Sequence, residues 1–358
     1  MPGPAACPAP PQRPQHALSR RRLLASWPLL AGLPLGAGLA GCGTAAAPTS
    51  ASAGDDPVAV APGLWLWPGQ PGEIDPANGG RVGNAVFVVG SQGVLVVDSG
   101  TSLQQGQALL AAVRRTTPLP VRGLLLSHAR QEFVFGAAAF QDAGVPVLMG
   151  QRSAQLMAAR CEGCLKVLQR LLGEAAMRGT RLVKPDLLVP EAGAPSAGLA
   201  SAQLPHGLAA LLASIGRPLR LLGFGHSSGP GDVAVLDETT GTLIAGGLVD
   251  VGRIPDMQDA DLPGWQRALS QLQALPLQRL VGGHGPAAPA AQALDDVQAY
   301  LRQLDARTRA LAIAGAALSE VPDACTLPAF TAWDQWDTIH RRNASILFLR
   351  HERALLRE

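Results

Sequence analysis

Three histidines in this 358-residue chain directly follow apolar, β-rich segments. They are His128 in "LLLSHA", His226 in "GFGHSSGPG" and His284 in "GGHGP", and small residues or glycine flank each of them. The carboxyl ends of strands are where α/β sheets place their functional groups, and imidazole is a common metal ligand. One such histidine alone is typical of a structural residue. Three of the seven in the chain, all in this context, predict a shared site with metal-assisted chemistry as the first candidate.

The cysteine pair in "ARCEGC" is a second group that could do chemistry. Cys161 and Cys164 have the spacing of a redox pair or of half a zinc site, but structural zinc would need a second ligand pair, which the sequence lacks. With Leu165, Leu168 and Leu172 they repeat at helical spacing, so we interpret them first as residues on a buried helix face. In an oxidising compartment they could form a disulfide at the start of that helix. A redox function is the remaining alternative.

The elements that must position these residues alternate between strands and helices, which predicts a sheet covered by helices. Predicted strands, read from β-rich or apolar runs, cover 84–90, 93–100, 120–128, 145–150, 217–226, 232–237, 241–247 and 277–285. Predicted helices cover 102–117, 134–144, 151–180, 261–275 and the region from Leu294 to Leu311. Asp261 is the expected cap of its helix. Residues 181–217 are rich in Pro and Gly and support no assignment.

Taken in order, these segments resemble the metallo-β-lactamase fold. The segments that carry the resemblance are "NAVFVVG", "VLVVDSG", "LLLSHARQEFVFGAAAF", "GHSSGPGDVAVLD", "TLIAGGLVDVGRIPD", "LVGGHGP" and "RRNAS". More narrowly, the chain is similar to the quinoprotein relay system zinc metallohydrolases, including their Arg-Cys-x-x-Cys helix. The resemblance implies an αββα sandwich, with two mixed sheets flanked by helices. It also implies a hydrolase whose two zinc ions hold a hydroxide that attacks an ester, amide or thioester carbonyl.

The first ligand loop of that family reads His-x-His-x-Asp-His, and here it is altered. His128 keeps the first histidine, whereas Arg130, Glu132 and Phe133 stand at the other three positions. A guanidinium has no lone pair to donate and stays protonated, and a phenyl ring offers no ligand atom. We therefore expect Arg130 to fill a vacated metal position, paired with Glu132 and packed on Phe133.

The later ligand positions are altered as well. His226 and His284 match the remaining histidine ligands, but Gly247 stands where the family has the aspartate that bridges both metals. The two-metal site is therefore not expected to assemble. A single ion held by His128, His226 and His284, with or without Glu132, is the alternative, because paired metals lie only about 3.5–4 Å apart and a shifted ion could touch all three.

Two further acids are pocket candidates. Asp250 lies three residues after the bridging position and either reaches the pocket or is a solvated loop carboxylate. Asp98 ends a strand where the family has an aspartate that braces the ligand loop by hydrogen bonds. Asn84, Arg253 and Asp256 also match family positions, and we interpret them as residues that fix loops.

The N-terminal segment is interpreted as an export signal and left out of the fold. Residues 1–42 contain consecutive arginines from Arg20 to Arg22, a Gly- and Pro-rich apolar run, and Leu-Ala-Gly-Cys ending at Cys42. This resembles a Tat-type lipoprotein signal with Cys42 as the lipidated residue; an uncleaved membrane anchor is the alternative. A flexible tether over 43–57, a main domain over 58–320 and a C-terminal helical extension over 321–358, packed on that domain, complete the predicted organisation.

Composition narrows the function. The chain is 47% hydrophobic with a net charge of +2, and its arginines are scattered, so nucleic acid is not an expected partner.

From the resemblance, the altered ligand positions and the N-terminal segment, we predict a periplasmic, membrane-tethered accessory or binding protein beside quinoprotein oxidation. It is expected to be non-catalytic or poor in metal and to take a small or anionic ligand. No cofactor is expected. The alternative is an active metallohydrolase with one zinc or iron ion.

Overall fold

The computed structural model describes residues 56–191 and 204–357. The predicted signal peptide, with Cys42, and nearly all of the tether lie outside the described residues, so these interpretations stay predictions, as do the domain boundaries. Within the described part of the chain, no helix is both long and apolar enough to cross a bilayer.

The first sheet has seven strands in sequential order. They are β1 Val58–Ala61, β2 Leu64–Trp67, β3 Ala85–Val89, β4 Val94–Val97, β5 Val121–Leu126, β6 Val147–Gly150 and β7 Leu187–Val189. Strands β1 to β4 pair antiparallel, and β4 to β7 pair parallel. Strands β3 and β4 form a hairpin, as the short turn between the predicted strands 84–90 and 93–100 indicates, and Val89 pairs with Val94. The central strands are continuous apolar runs because both faces of this sheet are covered.

The second sheet has five strands in the order β12-β11-β10-β9-β8. They are β8 Leu219–Gly223, β9 Val233–Asp237, β10 Thr242–Gly246, β11 Arg279–Gly282 and β12 Ala288–Pro289. Only β10 and β11 pair in parallel. Both sheets contribute to one apolar cluster, which includes Leu95, Leu125, Leu148, Leu221, Val235 and Ile244. The sheets therefore pack face to face.

Helices cover the outer faces. They are α1 Leu103–Thr116, α2 Gln131–Val134, α3 Ala137–Asp142, α4 Gln151–Leu172, α5 His206–Ala213, α6 Leu262–Gln273, α7 Ala290–Ile313, α8 Val321–Ala324 and α9 Arg341–Leu355. Helices α1, α3 and α4 share a core with the first sheet, and α6, α7 and α9 share one with the second. Asp261 caps α6 by accepting a hydrogen bond from the Gly264 amide, as predicted. The αββα sandwich expected from the sequence is confirmed.

Some elements differ from the prediction. The single helix expected over 134–144 is the pair α2 and α3, and Gly136 lies at their junction. A Cβ at Gly136 would lie 1.9 Å from the carbonyl oxygen of Ser99, so only glycine permits this approach. Helix α4 ends at Leu172 rather than at residue 180 because Gly173 adopts a φ of +83°. Strands β1, β2, β7 and β12 and helix α5 were not predicted.

Candidate functional site

Asp98, at the end of β4, braces the loop that follows β5. Its carboxylate accepts hydrogen bonds from the amide and the hydroxyl of Ser127, at 2.8 and 2.7 Å. The same hydroxyl oxygen lies 2.7 Å from Nδ1 of His128. Because the Ser127 hydroxyl donates to Asp98, its oxygen accepts the Nδ1 proton, which leaves the lone pair of His128 on Nε2. Burial, Arg130 and His284 hold the pKa of His128 well below its usual range, so this imidazole is neutral.

His284, in the loop after β11, has a matching arrangement. Its Nδ1 lies 2.8 Å from Oδ1 of Asp250, and both side chains are buried. Burial alone would raise the pKa of Asp250, but His284 and nearby arginines outweigh it and keep the pKa below the usual value. Asp250 therefore belongs to the pocket and is not a solvated loop carboxylate. Asn84 fixes the loop by donating from Nδ2 to the carbonyls of Gly282 and Gly285.

The Phe133 ring packs against both of these histidines. Its centroid is 4.4 Å from that of His128 and 5.2 Å from that of His284. The backbone of Phe133 is fixed because its carbonyl accepts a hydrogen bond from the Ser99 hydroxyl at 2.6 Å. Within the described residues, neither His128 Nε2 nor His284 Nε2 has a hydrogen-bond partner. The site thus presents, beside an apolar ring, two imidazole nitrogens without a hydrogen-bond partner in the described part of the chain.

Gly247, just after β10, lies against the His128 ring. A Cβ at this position would be 2.7 Å from Cδ2 and 3.0 Å from Nε2 of His128. The imidazole therefore fills the space that a larger residue would need, and a carboxylate there requires the ring to move.

Arg130 has a different partner from the one that we predicted. Its Nη2 donates to the carbonyl of Asp256 at 2.5 Å, and its Nη1 lies 3.8 Å from the Asp256 carboxylate. Glu132 instead lies 3.7 Å from Nε2 of His284. The physical reason is that Arg130 precedes α2 while Glu132 lies in its first turn, and residues two apart do not face each other on a helix. Burial opposes the charge of Arg130, but Asp256, Glu132 and other acids raise its pKa above the ordinary value.

His226 does not join the other two histidines. It is exposed, and its Nε2 lies 2.6 Å from the carbonyl oxygen of Asp259. The loop that carries it is shaped by buried Asp232, which accepts hydrogen bonds from the hydroxyls of Ser227 and Ser228. The expectation that three histidines converge is therefore wrong for His226, since this loop turns its side chain outward.

The side chains that could bind a metal do not match the zinc centre that the family resemblance implies. Among residues 56–191 and 204–357, no three His, Cys, Asp or Glu side chains are grouped to hold one ion. In the same described ranges, the Nε2 atoms of His128 and His284 have no hydrogen-bond partner, but an aromatic ring packs against both imidazoles and a guanidinium charge acts on His128. Catalytic zinc usually needs three protein ligands.

A cavity of about 380 Å³ opens beside α2 and α4. Eight charged side chains line it: Glu73, Arg130, Glu132, Arg160, Arg253, Asp256, Asp259 and Arg342. Most of these charges are paired. Arg160 binds Asp259 through both guanidinium nitrogens, and Arg342 Nη2 donates to the Asp256 carboxylate at 2.7 Å. The sequence interpretation gave Arg160, Asp259 and Arg342 no role in the site, although Arg160 belongs to the Arg-Cys-x-x-Cys motif and Arg342 to the segment "RRNAS".

The cysteine pair lies in the middle of α4. Cys161 is buried, Cys164 is half-buried and lines the cavity, and both are free thiols. Since α4 begins at Gln151, the pair is not at the helix start as expected. The disulfide stays a prediction.

The sequence also matches a known family. The model of a family described as the metallo-beta-lactamase superfamily matches residues 78–284, more than half of the chain. No curated protein matches the sequence.

Solved structures share the fold at low sequence identity. A metallo-beta-lactamase from Pontibacter korlensis is 18% identical with a TM-score of 0.51, and the match covers 69% of this chain and 98% of that one. One from Erythrobacter litoralis, with beta mercaptoethanol in the active site, is 19% identical with a TM-score of 0.54, over 69% and 96%. The metallo-beta-lactamase FIM-1 from Pseudomonas aeruginosa, in the mono-zinc form, is 17% identical with a TM-score of 0.50, over 68% and 95%.

Proposed function

This chain belongs to the metallo-β-lactamase superfamily, and we propose that it is a metal-poor member whose pocket binds a small polar or anionic ligand instead of two zinc ions. The observation that carries the proposal is the Phe133 ring, which stands at a ligand position of the family and packs against the buried imidazoles of His128 and His284. A phenyl ring supplies no ligand atom and excludes the water that a hydrolytic centre needs.

The charge of Arg130 supports the same proposal. The neighbouring carboxylates keep it protonated, and its charge acts on His128. A guanidinium within about 4 Å of a divalent cation repels it by several kcal/mol even at a high effective dielectric constant. Gly247 adds no compensating carboxylate, and the His128 ring occupies the space for one.

The lining of the cavity favours an anionic ligand. Arg130, Arg160 and Arg253 can exchange part of their ion pairing for a ligand carboxylate, because guanidinium groups bind planar anions through two hydrogen bonds. Thermal-shift measurements with small carboxylates can compare the wild type with Arg130→Met. Equal shifts in both proteins would exclude Arg130 from the binding site.

A repair series tests the loss of the metal site. Restoring ligands with Arg130→His, Phe133→His and Gly247→Asp is expected to create zinc binding that the wild type lacks, measured by calorimetric titration. The single Phe133→Leu variant is the control, since it reduces the ring without adding a ligand. If the triple variant folds but gains no zinc, or if the wild type binds two ions, the assignment of these positions fails.

The second candidate is a hydrolase of an ester, amide or thioester with one zinc or iron ion. The unpartnered Nε2 atoms of His128 and His284 favour it, because buried imidazole nitrogens normally find a partner. The solved metallo-beta-lactamase in its mono-zinc form illustrates that the fold can hold one ion. One equivalent of metal that is lost in His284→Ala would support this candidate.

The cellular location of the protein and its link to quinoprotein oxidation are also proposals. A lipid anchor at Cys42 and export by a Tat-type signal would place the protein in the periplasm, beside the quinoprotein system that the resemblance suggests. Purification of the protein with a periplasmic quinoprotein dehydrogenase would support that link, and the absence of any association would weaken it.

A further inference from the structure

Helix α4 carries two cysteines that the proposed function does not use. Cys161 and Cys164 are three residues apart and therefore lie on one face of the helix. Cys161 is almost fully buried in the core beneath the first sheet's helices, whereas Cys164 packs at the edge of that core and lines the charged cavity. One sulfur is thus reachable from the cavity and the other lies directly behind it.

We propose that Cys161 and Cys164 form a redox-active pair, in which Cys164 reacts with a small organic disulfide entering the cavity and Cys161 then closes an internal disulfide. Cys164 lines the same cavity as the arginines to which the anionic ligand was assigned, but the thiol chemistry does not depend on the function proposed above. A small molecule is the expected substrate because the cavity measures only about 380 Å³ and Cys164 is half-buried.

The neighbouring groups lower the pKa of Cys164 and raise that of Cys161. The hydrogen bond from Cys161 lowers the pKa of Cys164 to about 6, and Arg160 adds to this effect against the opposing contributions of burial and Asp259. The pKa of Cys161 is raised above its ordinary value, first by the same hydrogen bond and then by burial. The other charged groups that face the cavity are Glu73, Arg130, Glu132, Arg253, Asp256 and Arg342. Because Cys164 lines the cavity and Cys161 is buried, Cys164 is the attacking thiolate and Cys161 the resolving thiol.

The exchange balances in two steps. The Cys164 thiolate attacks one sulfur of the external disulfide, forms a mixed disulfide and releases the other half as a thiolate. Cys161 then gives up its proton to that thiolate or to solvent and attacks the sulfur of Cys164, which releases the second half as a thiolate that takes up a proton from solvent. The protein loses two electrons and becomes a disulfide, and the external disulfide is reduced to two thiols.

Helix geometry makes this couple easy to reverse. Residues three apart on a helix have Cβ atoms about 5–6 Å apart, whereas a disulfide requires about 3.5–4.5 Å. Closing the bond must tighten one turn of α4, which stores strain in the oxidised form. Strained disulfides are readily reduced, as regulatory and catalytic ones are.

The pH dependence of alkylation tests the thiolate in the wild-type protein. At pH 6, a thiol with a pKa near 6 is about half ionised, against about 0.3% for an ordinary cysteine. Its lower intrinsic nucleophilicity removes about a factor of ten, so we expect Cys164 to react with iodoacetamide about tenfold faster than glutathione does at that pH. Peptide mapping assigns each cysteine. Cys325 is the internal control, because burial raises its pKa to about 11.

Reaction with oxidised glutathione tests whether the two cysteines form the internal disulfide. The wild type is expected to form the Cys161–Cys164 disulfide and release two glutathione thiols, whereas Cys161→Ser is expected to stop at a glutathione adduct on Cys164. Cys164→Ser should not react at Cys161. The proposal is overturned if the alkylation midpoint of Cys164 lies at the ordinary cysteine value near 8.5, or if the wild type accumulates the adduct without the internal disulfide.

Discussion

A single hydrogen atom at position 247 separates the backbone after β10 from the His128 imidazole. The Cβ of any other residue would lie within 3.0 Å of three ring atoms. His128 itself is held by its hydrogen bond to Ser127 and by contact with Phe133, so the ring has little freedom to yield. Residue 247 therefore controls whether the histidine can adopt its present position.

We predict that Gly247→Ala destabilises the protein by about 1–3 kcal/mol, because it overpacks a buried contact. Gly163→Ala is the matched control. Gly163 is exposed on α4 with open space around its Cβ position, so alanine there should stabilise the helix by about 0.5–1 kcal/mol. Urea unfolding measures both variants, and the double variant His128→Ala with Gly247→Ala should lose most of the clash. Equal stability of Gly247→Ala and the wild type would contradict the packing described here.

For individual residues, the sequence predicts where two of the histidines lie but not which groups the other site residues contact. The positions of His128 and His284 followed from apolar strands that end in small residues. The partner of Arg130 did not, because Asp256 lies 126 residues away and is brought close only by the fold. His226 was misplaced because its direction depends on the turn held by Asp232, which a ligand pattern does not reveal.

At the scale of elements, Arg217 ties the two sheets together at one edge. Lying just before β8, it binds the Asp237 carboxylate at the end of β9 through Nε and Nη2, at 2.8 and 2.7 Å. It also donates to the carbonyls of Val89 at the end of β3 and Pro62 in the turn between β1 and β2. Asp237 is fully buried, so this ion pair is shielded from solvent.

We predict that Asp237→Asn destabilises the protein by about 3 kcal/mol, because it leaves a guanidinium charge uncompensated. Burial alone would raise the pKa of Asp237, but Arg217 and Thr240 outweigh it and lower the pKa below the usual value. The carboxylate thus adds stability above its ordinary pKa near 3.8 and loses it as the pH falls through the folded value. The free energy of unfolding, measured by chemical denaturation between pH 3 and 6, should change less with pH in the variant than in the wild type.

Asp142→Asn is the control for this prediction, since Asp142 and Arg181 form an exposed pair. It should leave the unfolding midpoint unchanged. If Asp237→Asn matches this control, Arg217 does not tie the sheets as described.

The sequence predicts most elements because their signals are local. The hairpin β3–β4, the strands that precede the histidines and the cap of α6 depend on neighbouring residues only. Strand β7 was not predicted because it has three residues in a Pro-rich stretch and forms by pairing with β6. The break between α2 and α3 was missed because it depends on a close backbone approach at Gly136.

For the whole molecule, the N-terminal segment predicts attachment to a membrane. Cys42→Ser is expected to move the protein from the membrane fraction to the soluble periplasmic fraction, because it removes the residue that would carry lipid. Cell fractionation with immunoblotting measures this change. Cys7→Ser is the control, because Cys7 precedes the arginines and would be removed with the signal. An unchanged distribution in Cys42→Ser would favour the uncleaved anchor instead.

The zinc content of the whole protein tests the central claim most directly. Protein purified from the periplasm without chelators, and freed of loose metal by gel filtration, can be analysed by mass spectrometry of its elements. The proposed function predicts well below one zinc ion per chain, with no change in His128→Ala or His284→Ala. Two zinc ions per chain that both disappear in these variants would contradict it.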